Sequence, residues 1–248
     1  MVSLNESRRW RQARRLAFIV AALSSGISAR AQSLSVLPVN IFLAPGQRAT
    51  TLTVTNHGTT ETAIQIRGFA WSQKDGADQL VASDNLVLSP PLATIPAGAT
   101  QVVRLILRQP PQGQESTYRI WVDQIPPPAE AGIVHIVLRL SIPIFAQPAA
   151  RAVPHVRYHL EREKDHVFLV GVNDGLHHEV VRDIVLTTSD GRKLKEQSSA
   201  SPYILAGATR RWPLDAQGSL PQAGESLRLT AHAESGAIDE QISTIAIP

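Results

Sequence analysis

The chain has 248 residues, a formal net charge of +3 and no cysteine. The missing thiols exclude cysteine nucleophiles, cysteine metal sites and disulfides, so an exported domain of this composition must be held by packing alone. Residues 1–31 carry six arginines and one glutamate, a net of +5, which leaves the remaining 217 residues near −2. The sequence pI of 9.6 is therefore largely a property of the N-terminal segment and gives no support to nucleic-acid binding.

That segment reads as a secretory signal. Arg8, Arg9, Arg11, Arg14 and Arg15 precede an apolar run from Leu16 to Leu23, and Ala29-Arg30-Ala31 supplies a small-residue cleavage site. Cleavage after Ala31 makes Gln32 the first mature residue. The run falls short of the roughly 20 residues that cross a bilayer. Neither arginine pair is followed by the apolar pair of twin-arginine signals, so ordinary export in the unfolded state is expected. The rest exceeds one domain of common size, and two domains, 32–146 and 155–248, are expected.

From Ser33 onward, short apolar or alternating runs are broken by Gly, Pro, Asn and Asp, which indicates an all-β sandwich. Strands are expected at Leu34 to Leu43, Thr50 to Asn56, Ala63 to Trp71, Gln101 to Leu107, Tyr118 to Ile125 and Ile133 to Phe145. Turns fall at Pro45-Gly46, His57-Gly58, Asp75-Gly76, Ala97-Gly98 and Gln112-Gly113, where glycine takes a positive φ. Residues 147–154, bracketed by prolines and without period, read as an interdomain connection. Further strands follow at Val156 to Glu161, His166 to Asn173, Val180 to Thr188, Lys193 to Glu196, Thr209 to Pro213, Ser226 to His232 and Ile238 to Ile247.

The segment Ile133 to Phe145 is the most informative. Val134, Ile136, Leu138, Leu140, Ile142 and Ile144 alternate with residues that include His135, Arg139, Ser141 and Pro143, so one long strand puts six aliphatic side chains on one face. One reading is a half-buried strand over its own core. The other follows from its length of 13 residues, well beyond the usual five or six. A projecting strand with unpaired backbone and alternate aliphatic side chains can complete a partner's sheet. A free edge of this kind also invites self-association.

These residues, taken in order, resemble a known family. Pro38-Val39, Leu43-Ala44-Pro45-Gly46-Gln47, Leu52 to Asn56, Ser89-Pro90-Pro91, Ile95-Pro96-Ala97-Gly98, Gln101 to Arg104, Tyr118-Arg119, Ile125-Pro126 and Arg139 to Phe145 look like the first domain of PapD-like periplasmic pilus chaperones. Leu169 to Gly175 and Tyr203 to Ala208 extend the resemblance to the second domain. It implies two immunoglobulin-like domains in an L shape, with pilus subunits bound along the last strand of the first domain and in the cleft, then passed to an outer-membrane usher. It assigns Val134, Ile136, Leu138, Leu140 and Ile142 to the donor strand. The family's cationic anchors for the subunit carboxylate fall at Asn40 and Pro143, neither of them charged, and the arginine after the closing aromatic pair falls at Gln147. This resembles the divergent branch that assembles archaic, Csu-type pili. Arg139, then Arg104 and Arg119, are the substitute anchors to consider, each reading equally as a solvated strand residue with a surface partner.

Other features carry less. His155 and His159, four apart on an extended chain, lie about 13 Å from each other and cannot share an ion. His177-His178-Glu179 lacks a third protein ligand in sequence, and no metal or cofactor is expected. No Gly-x-Ser-x-Gly elbow or convergent Ser, His and Asp set points to an enzyme. Trp71, Trp121 and Trp212 read as core. The competing class is an exported immunoglobulin-like pilus subunit or adhesin module, but such a subunit places its donor extension at the N-terminus rather than before a second domain.

Overall fold

The computed structural model describes residues 34–128, 132, 136–197, 201–215 and 220–247, and the expected signal segment and Val134 lie outside them. Among the described residues the regular structure is all strand. The first sandwich is built from β1 (Leu34–Leu37), β2 (Ile41–Leu43), β3 (Ala49–Asn56), β4 (Thr62–Lys74), β5 (Ala77–Ala82), β6 (Leu86–Ser89), β7 (Leu92–Ile95), β8 (Thr100–Leu107), β9 (Ser116–Ile125) and β10 (Arg139–Ala146). One sheet runs β1-β3-β8-β6; the other runs β2-β10-β9-β4-β5, with β7 on β4.

Alternation decides which side chains enter the core. On β8, Val103, Leu105 and Leu107 are buried while Val102, Arg104 and Ile106 face outward. On β9, Tyr118, Ile120 and Val122 point in and Arg119, Trp121 and Asp123 point out. The inward residues meet Leu52, Val54, Ile64, Ile142 and Ile144 in one cluster. Each such aliphatic side chain contributes about 1.5–3 kcal/mol on burial.

The expected first strand, Leu34 to Leu43, is two strands in different sheets. β1 pairs with β3, whereas β2 pairs in parallel with the end of β10. The break falls at Pro38, which has no N–H to continue a ladder. The expected strand from Ile133 is also shorter, since β10 begins at Arg139. Its partner β9 ends at Ile125 and is followed by Pro126-Pro127-Pro128, so the register that pairs Arg139 with Asp123 would set Ile136 against a residue without a donor. Strands β5, β6 and β7 were not expected: β5 is mostly exposed, and β6 and β7 are four residues each, too short to show a period.

The second sandwich comprises β11 (Val156–Glu163), β12 (His166–Asn173), β13 (Glu179–Thr187), β14 (Lys193–Glu196), β15 (Tyr203–Ile204), β16 (Thr209–Asp215), β17 (Ser226–Ala233) and β18 (Gly236–Ile247). They run β14-β16-β12-β11-β18-β17-β13-β15, and an extra β13–β14 pairing closes the sheet around Leu160, Leu169, Trp212 and Leu229. Closure removes most of the free edges.

The two halves repeat one corner. Asn56 ends β3 and Asn173 ends β12, each 1% exposed. The Asn56 amide donates to the carbonyls of Thr60, Ile95 and Pro96, and its oxygen accepts from Gly58 N–H. The Asn173 amide donates to His177, Ile204 and Leu205, and its oxygen accepts from Gly175 and His155 N–H. The clamped segments read Ile95-Pro-Ala-Gly-Ala-Thr100 and Ile204-Leu-Ala-Gly-Ala-Thr209. In the second corner a Cβ on Gly175 would fall 2.6 Å from Val153 O, so only glycine lets the interdomain connection pass this close.

Candidate functional site

The site grows from the end of the first sandwich sheet. β9 pairs with β10 along all eight residues, but β2 covers only Ile144 to Ala146 on the other side. Among the described residues, Arg139 to Pro143 therefore keep one unpaired flank, which is an available edge for another strand. The chain enters this edge through Ile136, 82% exposed, and Val137, 47% exposed. Leu138 is half-buried and tethered: its carbonyl accepts from Gln124 N–H at 2.9 Å, and its N–H donates to Gln124 Oε1 at 3.3 Å.

The expected donor residues separate along this path. Ile136 is free, Leu138 is partly so, and Leu140 is half-buried against the sandwich's own core. Ile142 corrects the sequence expectation: at 3% exposure it is packed within that core and has no surface to donate. The cause is position. Ile142 sits where β10 is sandwiched over β3 and β8 side chains, whereas Ile136 lies beyond the end of β9.

The arginines separate too. Arg139 and Arg67 both bond Asp123, Arg67 through Nη2 at 2.6 Å. Burial pushes the Asp123 carboxyl up, but the hydrogen bonds from Arg139 and Arg67 outweigh it and hold it below the usual range. Arg139 lies 4.2 Å from the Trp121 ring, which packs on Phe69 at 4.6 Å. Trp121 is thus no core residue; it is a half-exposed platform on the outer face, two arginines above it sharing one carboxylate. Arg119 stands opposite Pro143 in the ladder and stacks 3.8 Å over Trp71, where burial draws its proton affinity down. Arg104 is on β8, in the other sheet, and is not brought to the β10 edge.

Asn40 is in the turn between β1 and β2 and lines a cleft of about 340 Å³ with Phe42, His178, Arg182, Tyr203 and His232. Pro143 is buried on β10, one residue before the stretch that pairs with β2. The cleft's cation is Arg182, from the second sandwich, which sequence reasoning missed. A bulge between Arg182 and Val185, with Asp183 at φ 55°, breaks the alternation that would have marked it.

Behind the cleft the sandwiches are packed together. Phe145 stacks on His178 at 3.8 Å and meets Tyr203 at 5.3 Å and Trp71 at 5.9 Å. Gln73 ties the same seam, donating to Tyr203 O at 2.9 Å and accepting from Leu205 N–H at 3.0 Å.

Residues 33–152 match the family described as pili and flagellar-assembly chaperone, PapD N-terminal domain. No curated protein matches the chain at sequence level. Among solved structures, the chain is similar to the CsuC–CsuE chaperone and tip adhesion subunit pre-assembly complex from archaic chaperone-usher Csu pili of Acinetobacter baumannii. The identity is 21% and the TM-score 0.63, over 87% of this chain and 100% of that one. It is also similar to the E. coli chaperone DraB, 20% identical with a TM-score of 0.54, over 87% and 97%. A third is the complex of SafA pilin with the SafB chaperone of Salmonella enterica, 14% identical with a TM-score of 0.56, over 88% and 98%. At these identities the solved structures speak for the fold, two immunoglobulin-like sandwiches, and the family match speaks for kinship. Residues 33–152 thus match the N-terminal domain of the pili and flagellar-assembly chaperone family, and the fold is that of the solved pilus chaperones.

Proposed function

We propose that this protein is an exported periplasmic chaperone that holds pilus subunits by lending them a strand and delivers them to an outer-membrane usher. The observation that carries this reading is the exposed aliphatic run at Ile136 entering the half-open edge of β10. The free backbone supplies ladder hydrogen bonds, and Ile136, Leu138 and Leu140, with Val134 ahead of them, supply the side chains that fill a partner's groove. The similarity of the fold to chaperones solved with a tip adhesion subunit and with a pilin supports the choice of partner, and the Csu relative supports the archaic branch. In this reading residues 1–31 direct export, 32–146 carry the donor edge, 147–154 connect and 155–248 complete the cleft. An isolated bridge, Gly76 to Arg210, is the one ladder contact among described residues that joins the two halves, which favours that division.

The test is periplasmic co-expression with candidate subunits from the same organism and pull-down of wild type and Leu138→Arg. Each buried aliphatic contact is worth about 1.5–3 kcal/mol. A charge in its place should cut recovery of subunit by more than about tenfold. Equal recovery would exclude this segment as the donor. Arg139→Glu is expected to reduce capture severalfold, because it places a second carboxylate beside Asp123 on the Trp121 platform and repels an acidic terminus. Unchanged capture by Arg139→Glu would remove that arginine from the site while leaving the donor strand standing.

A further inference from the structure

His177 and His178 lack a third ligand in sequence, but the fold brings one. Glu115 immediately precedes β9, and its carboxylate is fully buried at the junction of the two sandwiches. Glu115 Oε2 accepts from His178 N–H at 3.0 Å and lies 2.7 Å from His178 Nδ1, while Oε1 lies 3.2 Å from His177 Nε2. One ligand atom from each residue can be chosen so that all lie within 4.8 Å of one another. The neighbouring Glu179, which completed the sequence triplet, is turned away to accept from Glu234 N–H and from Ser235.

The hydrogen bonds fix what these atoms present. His177 Nδ1 is 2.7 Å from the carbonyl of His178, and a carbonyl only accepts, so Nδ1 carries the proton. In the neutral ring Nε2 is then a lone pair aimed at Glu115 Oε1, an oxygen with no hydrogen-bond partner among the described residues. Two acceptors facing each other in a buried site are reconciled by a proton on His177 or by a cation between them. His178 Nε2 is likewise buried without a hydrogen bond and lies 3.8 Å from Glu234 Oε2, which can receive its N–H when Nδ1 gives up its own. Both rings thus have an acceptor behind the nitrogen that faces Glu115, the arrangement that orients metal-ligating histidines. His177 also borders a cavity of about 500 Å³ formed with Pro45, Gln147 and Arg151, an open side for a fourth ligand such as water.

We propose that Glu115, His177 and His178 bind one divalent ion of borderline softness, zinc foremost, across the junction of the sandwiches. A carboxylate and two imidazoles are a donor set suited to zinc at about 2.0–2.2 Å per bond. The ion ties the start of β9 to the segment before β13, and it acts independently of the donor edge. The experiment uses the mature chain without an affinity tag, stripped with chelator, dialysed, and titrated with Zn²⁺ by calorimetry and with Co²⁺ by visible absorption. The expected result is uptake of one equivalent, tetrahedral Co²⁺ bands, and a midpoint of unfolding that rises with free Zn²⁺. His177→Ala and Glu115→Gln should abolish that equivalent, and Glu234→Gln should weaken it roughly tenfold. His177 is partly exposed, so His177→Ala should match the wild-type circular dichroism and unfolding midpoint in chelator, which keeps the comparison valid if Glu115→Gln does not fold. No saturable equivalent in the wild type would leave a protonated hydrogen-bonded latch and overturn the proposal. Undiminished uptake by His177→Ala would overturn it equally.

Discussion

Phe145→Ala is expected to lower stability by about 3–5 kcal/mol. The ring is 0% exposed and is the hub of the junction, with His178 stacked against it and Phe42, Trp71 and Tyr203 around it. Alanine leaves a cavity that backbone ladders on β10 prevent from collapsing, and it unstacks the imidazole that Glu115 holds. Because Phe145 belongs to a separate cluster drawn from both halves, with Trp71, Tyr203, Leu205 and Ala208, its loss should also uncouple them. Urea unfolding followed by tryptophan fluorescence should show a lower first midpoint and two separated transitions, since Trp71 lies at the junction and Trp212 inside the second core. A single transition with an unshifted midpoint would mean that the junction contributes little.

Asn173→Leu should be the most damaging change to the second sandwich, at about 3 kcal/mol or more. Leucine has a similar size, so packing is not the main effect. What is lost is the donor to three carbonyls and the acceptor for two N–H groups, in a site 1% exposed to water. Each polar group left unpaired there costs about 1–3 kcal/mol. The corner also sets the loop that carries His177 and His178. Thermal unfolding should therefore drop by many degrees, and Asn173→Asp, which keeps the acceptor and loses the donor, should fall between. If leucine and wild type unfold together, the corner is a consequence of the fold rather than a support of it.

The sequence reading located most strand ends within a few residues, and the reason is visible in β8 and β9. Their side chains alternate strictly between core and surface, and period-2 patterns survive wherever one face is buried. In β5, where both faces are partly wet, and in the short β6, β7 and β15, there was no period to read. The donor segment was legible as an aliphatic alternation, but its division was not. Ile136 and Ile142 are identical in chemistry and share a register parity. One lies past the end of β9 and the other between sheets, and only the partner strand's proline stop distinguishes them.

The junction was legible least of all. Glu115 sits 62 residues before His177 in a turn-rich stretch, with no local pattern that marks a buried carboxylate. Arg182 was hidden by a bulge, and Trp121, scored as core, turned out to face outward because parity alone cannot say which face of a strand a second domain will leave uncovered. Residue order by itself determined the all-β class, the punctuation of the strands, the family resemblance and the aliphatic run at 136–144. Tertiary structure alone decided which of those aliphatic side chains remain free, which arginines are engaged, and that Glu115 meets two histidines. The first set depends on local period and turn chemistry, which neighbouring residues encode; the second depends on contacts between strands far apart in the chain, which exist only once both sandwiches have closed.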